Sequence, residues 1–99
     1  MAEDERNKFK IGSHVAYRLI GDEVVIVDSQ SSEMVTLNST ASFIWMRVAE
    51  GMTLAEIEKV LAADFDVSRD EARTDIATFV EGMIGRGLIL GQAPKLEAP

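Results

Sequence analysis

Few residues of this chain have types and spacings that could support catalysis or metal binding. His14 is the one histidine and there is no cysteine, which excludes a cysteine nucleophile and a zinc site built from histidines or thiolates. A serine triad would need His14, but the chain has no G-x-S-x-G nucleophile motif. Glu56, Glu58 and Asp64 fall mostly on the polar face of a predicted helix, where solvent exposure is their ordinary role. We therefore predict a protein that is not an enzyme and that carries no cofactor and no metal.

The charge of the chain limits its partners. Lys and Arg number 10 against 17 Asp and Glu, which gives a formal net charge of −7. Nucleic-acid affinity comes mainly from cations that displace condensed counterions, so such a surface is a poor partner for phosphate backbones. The acidic start from Met1 to Arg6 lacks the apolar run of a secretory signal, and no segment has the roughly 20 apolar residues that span a bilayer. We expect a cytoplasmic protein that binds neither nucleic acid nor membranes.

Three strands are predicted in the first part of the chain, where the hydrophobic period is about two residues. Residues 14–19 form the first strand and Glu23 to Asp28 the second. Gly21 and Asp22 between them fit a two-residue hairpin turn of type II′. After a polar turn, Met34 to Leu37 form a short third strand. The pattern predicts an antiparallel meander in which the first and third strands are the edges.

Three amphipathic helices are predicted after the strands, each preceded by residues that cap helix N-termini. The capping signals are Asn38 to Thr40, Thr53 with Glu56, and Ser68 with Glu71. This order predicts an α+β, winged helix-turn-helix-like fold, in which a three-stranded antiparallel sheet is followed by three helices. We place the folded domain at residues 13–90, between a flexible N-terminal segment (1–12) and a flexible C-terminal tail (91–99).

The third strand is the element that points to binding. An edge strand leaves N–H and C=O groups unpaired, and an extended peptide can pair with them as an added strand. The third helix is the longest and would form the neighbouring wall with one of its two shoulders. One shoulder consists of Asp75, Phe79, Gly82 and Arg86, and the other of Arg73, Ala77 and Ile84. The sequence leaves the choice between the two shoulders open.

A set of short segments between Val15 and Leu90 carries a resemblance to a known family. These segments are Glu23 to Asp28, Met34 to Ala41, Ile44-Trp45, Gly51 to Thr53, Glu56-Ile57, Asp75-Ile76, Phe79-Val80, Met83, and Gly87 to Ile89. In order and spacing they resemble the PqqD-like family, whose members are also described as RiPP recognition elements. Most of the matching positions are core positions, so the resemblance lies in the whole set rather than in one motif.

The resemblance implies a non-catalytic module that captures the leader segment of a ribosomally made precursor peptide. The leader would add as a strand to the third strand, and the precursor would be presented to a separate maturation enzyme such as a radical SAM protein. The implied site residues are Glu33, Met34, Val35, Thr36 and Leu37 on the strand, with Asp75, Ile76, Phe79, Met83 and Arg86 chosen on the helix. Family members from the pyrroloquinoline quinone pathway usually have a Tyr-Pro or similar segment after the second strand, where this chain has Asp28 to Ser32. This difference favours a divergent stand-alone recognition protein.

Two alternatives remain. The second and third helices also fit a winged-helix DNA-binding transcriptional regulator, although the negative charge balance of the third helix opposes it. A homodimer could form through the uncovered face of the sheet, because Val24 to Val27 are apolar towards both faces. To test strand addition, we predict that Val35→Pro weakens peptide binding, provided that the Val35 N–H faces the peptide.

Overall fold

Two small sheets and three helices make up the structure, a computed structural model that describes residues 9–91. In chain order the elements are β1 (Lys10–Ile11), β2 (Val15–Ile20), β3 (Glu23–Asp28), β4 (Glu33–Thr36), α1 (Ser39–Ala49), α2 (Leu54–Phe65), α3 (Arg69–Gly85) and β5 (Ile89–Leu90). The larger sheet is antiparallel and has the order β2-β3-β4. The predicted fold class, α+β with a three-stranded antiparallel sheet followed by three helices, is confirmed.

A tight hairpin joins β2 to β3. Ile20 lies opposite Glu23, so Gly21 and Asp22 form a two-residue loop. Gly21 has a φ of +65° whereas the φ of Asp22 is not positive, and a type II′ turn needs this combination. The turn chemistry therefore fixes the register of the first strand pair, as the sequence predicts.

The sheet has an inner face, which the helices cover, and an outer face. Val24 and Ile26 of β3 point inwards and are fully buried. On the outer face, Ala16, Val27 and Met34 form a row across three neighbouring strands. Val27 and Met34 are exposed, so this apolar row is uncovered within the described part of the chain.

Side-chain caps start all three helices. Asn38 Oδ1 accepts from the N–H of Ala41 at 2.8 Å, Thr53 Oγ1 from that of Glu56 at 3.2 Å, and Ser68 Oγ from that of Glu71 at 3.0 Å. At α2 the box is reciprocal, because Glu56 Oε1 also accepts from the Thr53 N–H at 2.8 Å. Among residues 9–91, no helix has both the length and the apolar character needed to cross a membrane.

The helices pack on the inner face of the sheet around Trp45 of α1, which has no exposed surface. Its ring meets that of Tyr17 edge-to-face, with 5.4 Å between the centroids. The indole N–H has no hydrogen-bond acceptor among the described residues. The other large, fully buried apolar side chains are Val24, Ile26, Ile44, Ile57, Leu61, Val80, Leu88 and Ile89. One core therefore joins the sheet to all three helices.

The pairing of β1 with β5 corrects the predicted N-terminal boundary. The sequence predicts a flexible segment up to residue 12, but β1 forms an antiparallel ladder with β5 and Phe9 is buried. The Phe9 ring lies against the backbone of Gly91, where a Cβ atom would collide with it. The folded part thus includes Phe9. The remaining predicted flexible residues, 1–8 and 92–99, lie outside the described residues.

Candidate functional site

β4 is a free edge of the larger sheet, because within residues 9–91 it pairs with β3 alone. The direction of main-chain groups alternates along an antiparallel strand, so one hydrogen bond fixes it for the whole strand. The Leu37 N–H donates to the Val24 carbonyl at 2.9 Å, which directs the main-chain groups of Leu37 and Val35 towards β3. The N–H and C=O groups of Met34 and Thr36 therefore point away from the sheet.

This alternation corrects the expectation about Val35. Val35 lies directly opposite Ile26, and its N–H belongs to the ladder with β3. A proline at position 35 would break the sheet of the protein itself and would not report on a bound peptide. The main-chain groups that an added strand can use are those of Met34 and Thr36. Side-chain periodicity does not report this property, because it gives the face of each side chain and not the direction of each N–H.

Ser42 fixes the end of β4 to the rest of the fold. Its buried Oγ accepts from the Val24 N–H at 2.8 Å and donates to the Leu37 carbonyl at 3.2 Å. The hydroxyl thus completes the last pair of the β3–β4 ladder and ties both strands to α1. Sequence reasoning missed Ser42, since a single serine within a helix belongs to no recognisable motif.

The contacts of Glu58 of α2 show which shoulder of α3 faces α2. Its side chain is 12% exposed and its carboxylate accepts from Arg69 Nη2 at 2.9 Å and from Arg73 Nε at 3.2 Å. The Glu58 carboxylate, which bonds to it, holds the pKa of Arg73 above its ordinary value. Ala77, on the same shoulder as Arg73, is buried. The Arg73 shoulder therefore faces α2, which leaves the opposite shoulder for β4.

The opposite shoulder of α3 faces β4 and the start of α1 across a slot with two defined ends. At one end, Arg86 Nη2 lies 3.3 Å from Glu33 Oε1. At the other end is a cavity of about 380 Å³, lined by Asn38, Thr40, Ala41, Ile44, Asp75, Thr78 and Phe79. We call this slot the β4–α3 groove; its walls are Glu33 to Thr36 on β4 and Asp75, Phe79, Gly82 and Arg86 on α3. β4 and α3 run in opposite directions along it.

The predicted site residues lie in this groove, on the outer face of the sheet or in the core. Glu33, Met34, Thr36, Asp75 and Arg86 are exposed, while Val35 and Phe79 are half-buried. The side chains of Met34 and Thr36 lie on the outer face, so only their main-chain groups border the groove. Leu37, Ile76 and Met83 are buried. These last three were expected at the site, but their side chains pack into the core because each points to the inner side of its element.

Gly82 is an exposed position in the α3 wall of the groove. It lies one turn from Phe79 and one turn from Arg86, within a continuous helix. A Cβ atom added there would meet no atom within 4 Å. Glycine inside a helix costs about 1 kcal/mol relative to alanine. Within the described chain, neither a positive φ nor a close contact accounts for a glycine here.

The turn that leads into β4 is built around Asp28. Its Oδ1 accepts from the Gln30 N–H at 2.9 Å, and this bond holds the pKa of the carboxyl below its ordinary value although partial burial opposes it. Hydrogen bonds from Ser31 act in the same direction, as does His14, whose Nε2 lies 3.8 Å from the carboxylate. Asp28 is directly opposite Glu33, so this turn positions the first residue of β4.

A second cavity, of about 360 Å³, lies beside β2 on another side of α1. It is lined by Leu19, Gly21, Asp22, Ser39, Ser42, Phe43, Met46, Arg47 and Phe65. The Phe43 and Phe65 rings meet edge-to-face at 5.3 Å, and the Arg47 guanidinium lies 4.7 Å from the centroid of the Phe43 ring. Of the three phenylalanines on the helices, Phe79 alone lines the β4–α3 groove.

The charges of α3 do not favour contact with phosphate. Arg69 and Arg73 pair with Glu58, and Arg86 at the C-cap pairs with Glu33. In the described part of the molecule each arginine of this helix and its cap thus has a carboxylate partner, which gives the DNA-binding alternative no support. Residues 9–91 also hold no group of three or more histidine and acidic side chains that could bind a metal ion.

Comparisons with known proteins identify a matching family model and two similar solved structures. The family model described as "Coenzyme PQQ synthesis protein D (PqqD)" matches residues 23–89. A solved structure described as "TbiB1 in Complex with the TbiA(beta) Leader Peptide" is similar, with a TM-score of 0.81 and 29% identity over 86% of this chain and 99% of that chain. Another, "Lasso peptide synthetase B1 complexed with the leader peptide", has a TM-score of 0.78 and 28% identity over 84% of this chain and 98% of that chain. The search of curated proteins gave no match.

The matched segment runs from the start of β3 to the first residue of β5, so it includes β4, α3 and the groove between them. Both similar structures cover most of this chain and nearly all of their own length. The chain therefore belongs to the PqqD family, as the resemblance of its core segments predicts.

Proposed function

We propose that this protein binds the leader segment of a ribosomally made precursor peptide in the β4–α3 groove. The leader would add to β4 as a further strand, with α3 as the second wall. The observation that carries the proposal is the free edge of β4, where the main-chain groups of Met34 and Thr36 point into the groove. The two similar structures, both described as complexes with leader peptides, support it.

The dimensions of the groove suit a short extended segment. From Asp75 to Arg86 the helix rises about 16 Å, which equals about five residues of extended chain. Met34 and Thr36 together offer two donors and two acceptors along this length. Main-chain pairing would supply much of the affinity, and side chains that reach α3 would supply specificity.

The charge of the groove favours a leader with basic residues. Asp75 is exposed and has no ion-pair partner among the described residues, whereas Glu33 is neutralised by Arg86. The whole chain has a net charge of −7, which acts in the same direction. Charges at the rim of a site mainly increase the association rate and select among partners.

The protein would act as a non-catalytic partner of a separate maturation enzyme, such as a radical SAM protein, to which it presents the precursor. The absence of cysteine and the single histidine support this role. We place its action in the cytoplasm, where a ribosomally made precursor is first available.

Strand addition can be tested with Thr36→Pro and the matched control Thr36→Val. Proline removes the outward N–H of an edge strand, which the sheet of the protein does not need, while valine keeps that N–H and the β-branched shape. The probes are labelled synthetic peptides that tile the start of each short reading frame beside the gene. We expect Thr36→Pro to weaken binding of the tightest peptide roughly 10- to 100-fold, since one main-chain bond is lost. Thr36→Val should bind within about threefold of wild type.

Fluorescence anisotropy measures the affinities, and the emission of the buried Trp45 shows that each variant is folded. Equal affinity of folded Thr36→Pro and wild type would rule out pairing with the β4 edge. A wild-type protein that binds none of the peptides would rule out the proposed function itself.

A further inference from the structure

Gly82 interrupts the side-chain surface of α3 at a place where the chain does not need a glycine. Its backbone is helical, its φ is not positive, and an added Cβ would lie in open space. Local choices that oppose the fold without a reason inside the molecule are expected mainly at functional sites. The reason for this glycine is therefore to be sought in something that approaches the helix from outside.

The surroundings of Gly82 place it inside the groove. Phe79, one turn before it, lines the cavity at one end, and Arg86, one turn after it, forms the ion pair at the other end. Residues three and four apart in a helix are neighbours on the same side. Gly82 thus leaves a notch in the α3 wall between a ring and a guanidinium, opposite the edge of β4.

The spacing of the notch and the cavity matches the repeat of an extended chain. The cavity residues Asp75, Thr78 and Phe79 are centred about 7 Å from Gly82 along the helix axis. Alternate side chains of a strand lie on the same face, about 6.8 Å apart. A strand bound to β4 can therefore direct one side chain into the cavity and the side chain two residues away into the notch.

We propose that Gly82 is a specificity-determining residue of the peptide site. Its missing side chain admits a large apolar side chain of the bound strand, which packs between Phe79 and the aliphatic part of Arg86. The inference rests on the proposed function, because it assumes that a peptide occupies the β4–α3 groove. The notch at Gly82 selects leaders with a large apolar residue two positions away from the leader residue that occupies the cavity.

The test compares Gly82→Ala with Gly85→Ala. Both glycines are exposed, both lie in the last part of α3, and an added Cβ meets no atom at either position. Gly85 lies three residues further along the helix and about 60° around its axis, directly opposite the buried Ile76, so it faces solvent and controls for the change in helix propensity. Neither variant should lower the thermal midpoint of unfolding, since alanine favours the helix more than glycine does.

We expect Gly82→Ala to weaken binding of the tightest tiled peptide at least tenfold and Gly85→Ala to leave it within twofold of wild type. Each residue of that peptide is then replaced by alanine in turn. At one large residue, the replacement should weaken binding to the wild-type protein but should change the affinity for Gly82→Ala very little. Equal affinities of wild type and both variants would overturn the inference and leave the proposed function intact. Failure of wild-type protein to bind any tiled peptide would overturn both.

Discussion

At the scale of single residues, Asp28 links the β4 edge to pH. Its carboxylate accepts the Gln30 N–H in the turn before β4, and this contact lowers its pKa. A carboxyl whose pKa is lower in the folded than in the unfolded state stabilises the fold above the unfolded pKa. That contribution disappears as the pH falls through the folded pKa. The turn that positions β4 should therefore weaken in acid.

Asp28→Asn tests this link. We expect the variant to be less stable than wild type at pH 7 and the difference to shrink below about pH 4, where the carboxyl of the unfolded chain begins to take up its proton. Urea unfolding followed by the fluorescence of Trp45 at several values of pH gives both stabilities. A difference that stays constant from pH 7 to pH 3 would contradict a role for the ionised carboxylate.

The residue scale also shows where sequence reasoning reaches its limit. The resemblance to the family implied Glu33, Met34 and Thr36 as site residues, and the structure leaves these side chains exposed. The N–H of Val35 could not be assigned to a side of the strand, because that depends on the hydrogen-bond phase of the ladder with β3. This phase is set by the hydrogen bond from the Leu37 N–H to the Val24 carbonyl, which the hydrophobic periodicity of the sequence does not reveal.

At the scale of elements, the contact between α2 and α3 gives the groove its second wall. Glu58 pairs with Arg69 and Arg73, and the adjacent Ala77 is buried, so the Arg73 shoulder faces α2. The sequence predicted both helices through their capping residues, but it left the two shoulders of α3 equivalent. The choice between them depends on how α3 packs against α2, which is a tertiary contact without a local signal.

Glu58→Gln should therefore destabilise the fold by about 1–2 kcal/mol, since the charge is lost from a largely buried carboxylate whose two arginines are half exposed. Asp70→Asn is the control, because Asp70 is 93% exposed and lies 4.0 Å from Arg73; its effect should stay within about 0.5 kcal/mol. Urea unfolding measures both. Equal stabilities of Glu58→Gln and Asp70→Asn would show that the pairing does not hold α3.

At the scale of the whole molecule, the outer face of the sheet has exposed apolar side chains through which a homodimer could form. Ile20 is 60% exposed, Val27 40% and Met34 70%, and no described element covers them. A dimer through this face predicts a species of twice 10.9 kDa at low micromolar concentration, which Val27→Lys converts to monomer. Sedimentation velocity measures the mass. A wild-type monomer would end this alternative and leave the β4–α3 groove unaffected.

The small sheet of β1 and β5 has a consequence for how the module can be connected to other polypeptides. Both strands are two residues long, so neither gives a periodic signal, and their pairing was missed for this reason. Because Lys10 lies opposite Leu90, the two ends of the described fold are about 5 Å apart. Ends this close are what insertion into a surface loop of another polypeptide requires, because neither junction would have to be stretched.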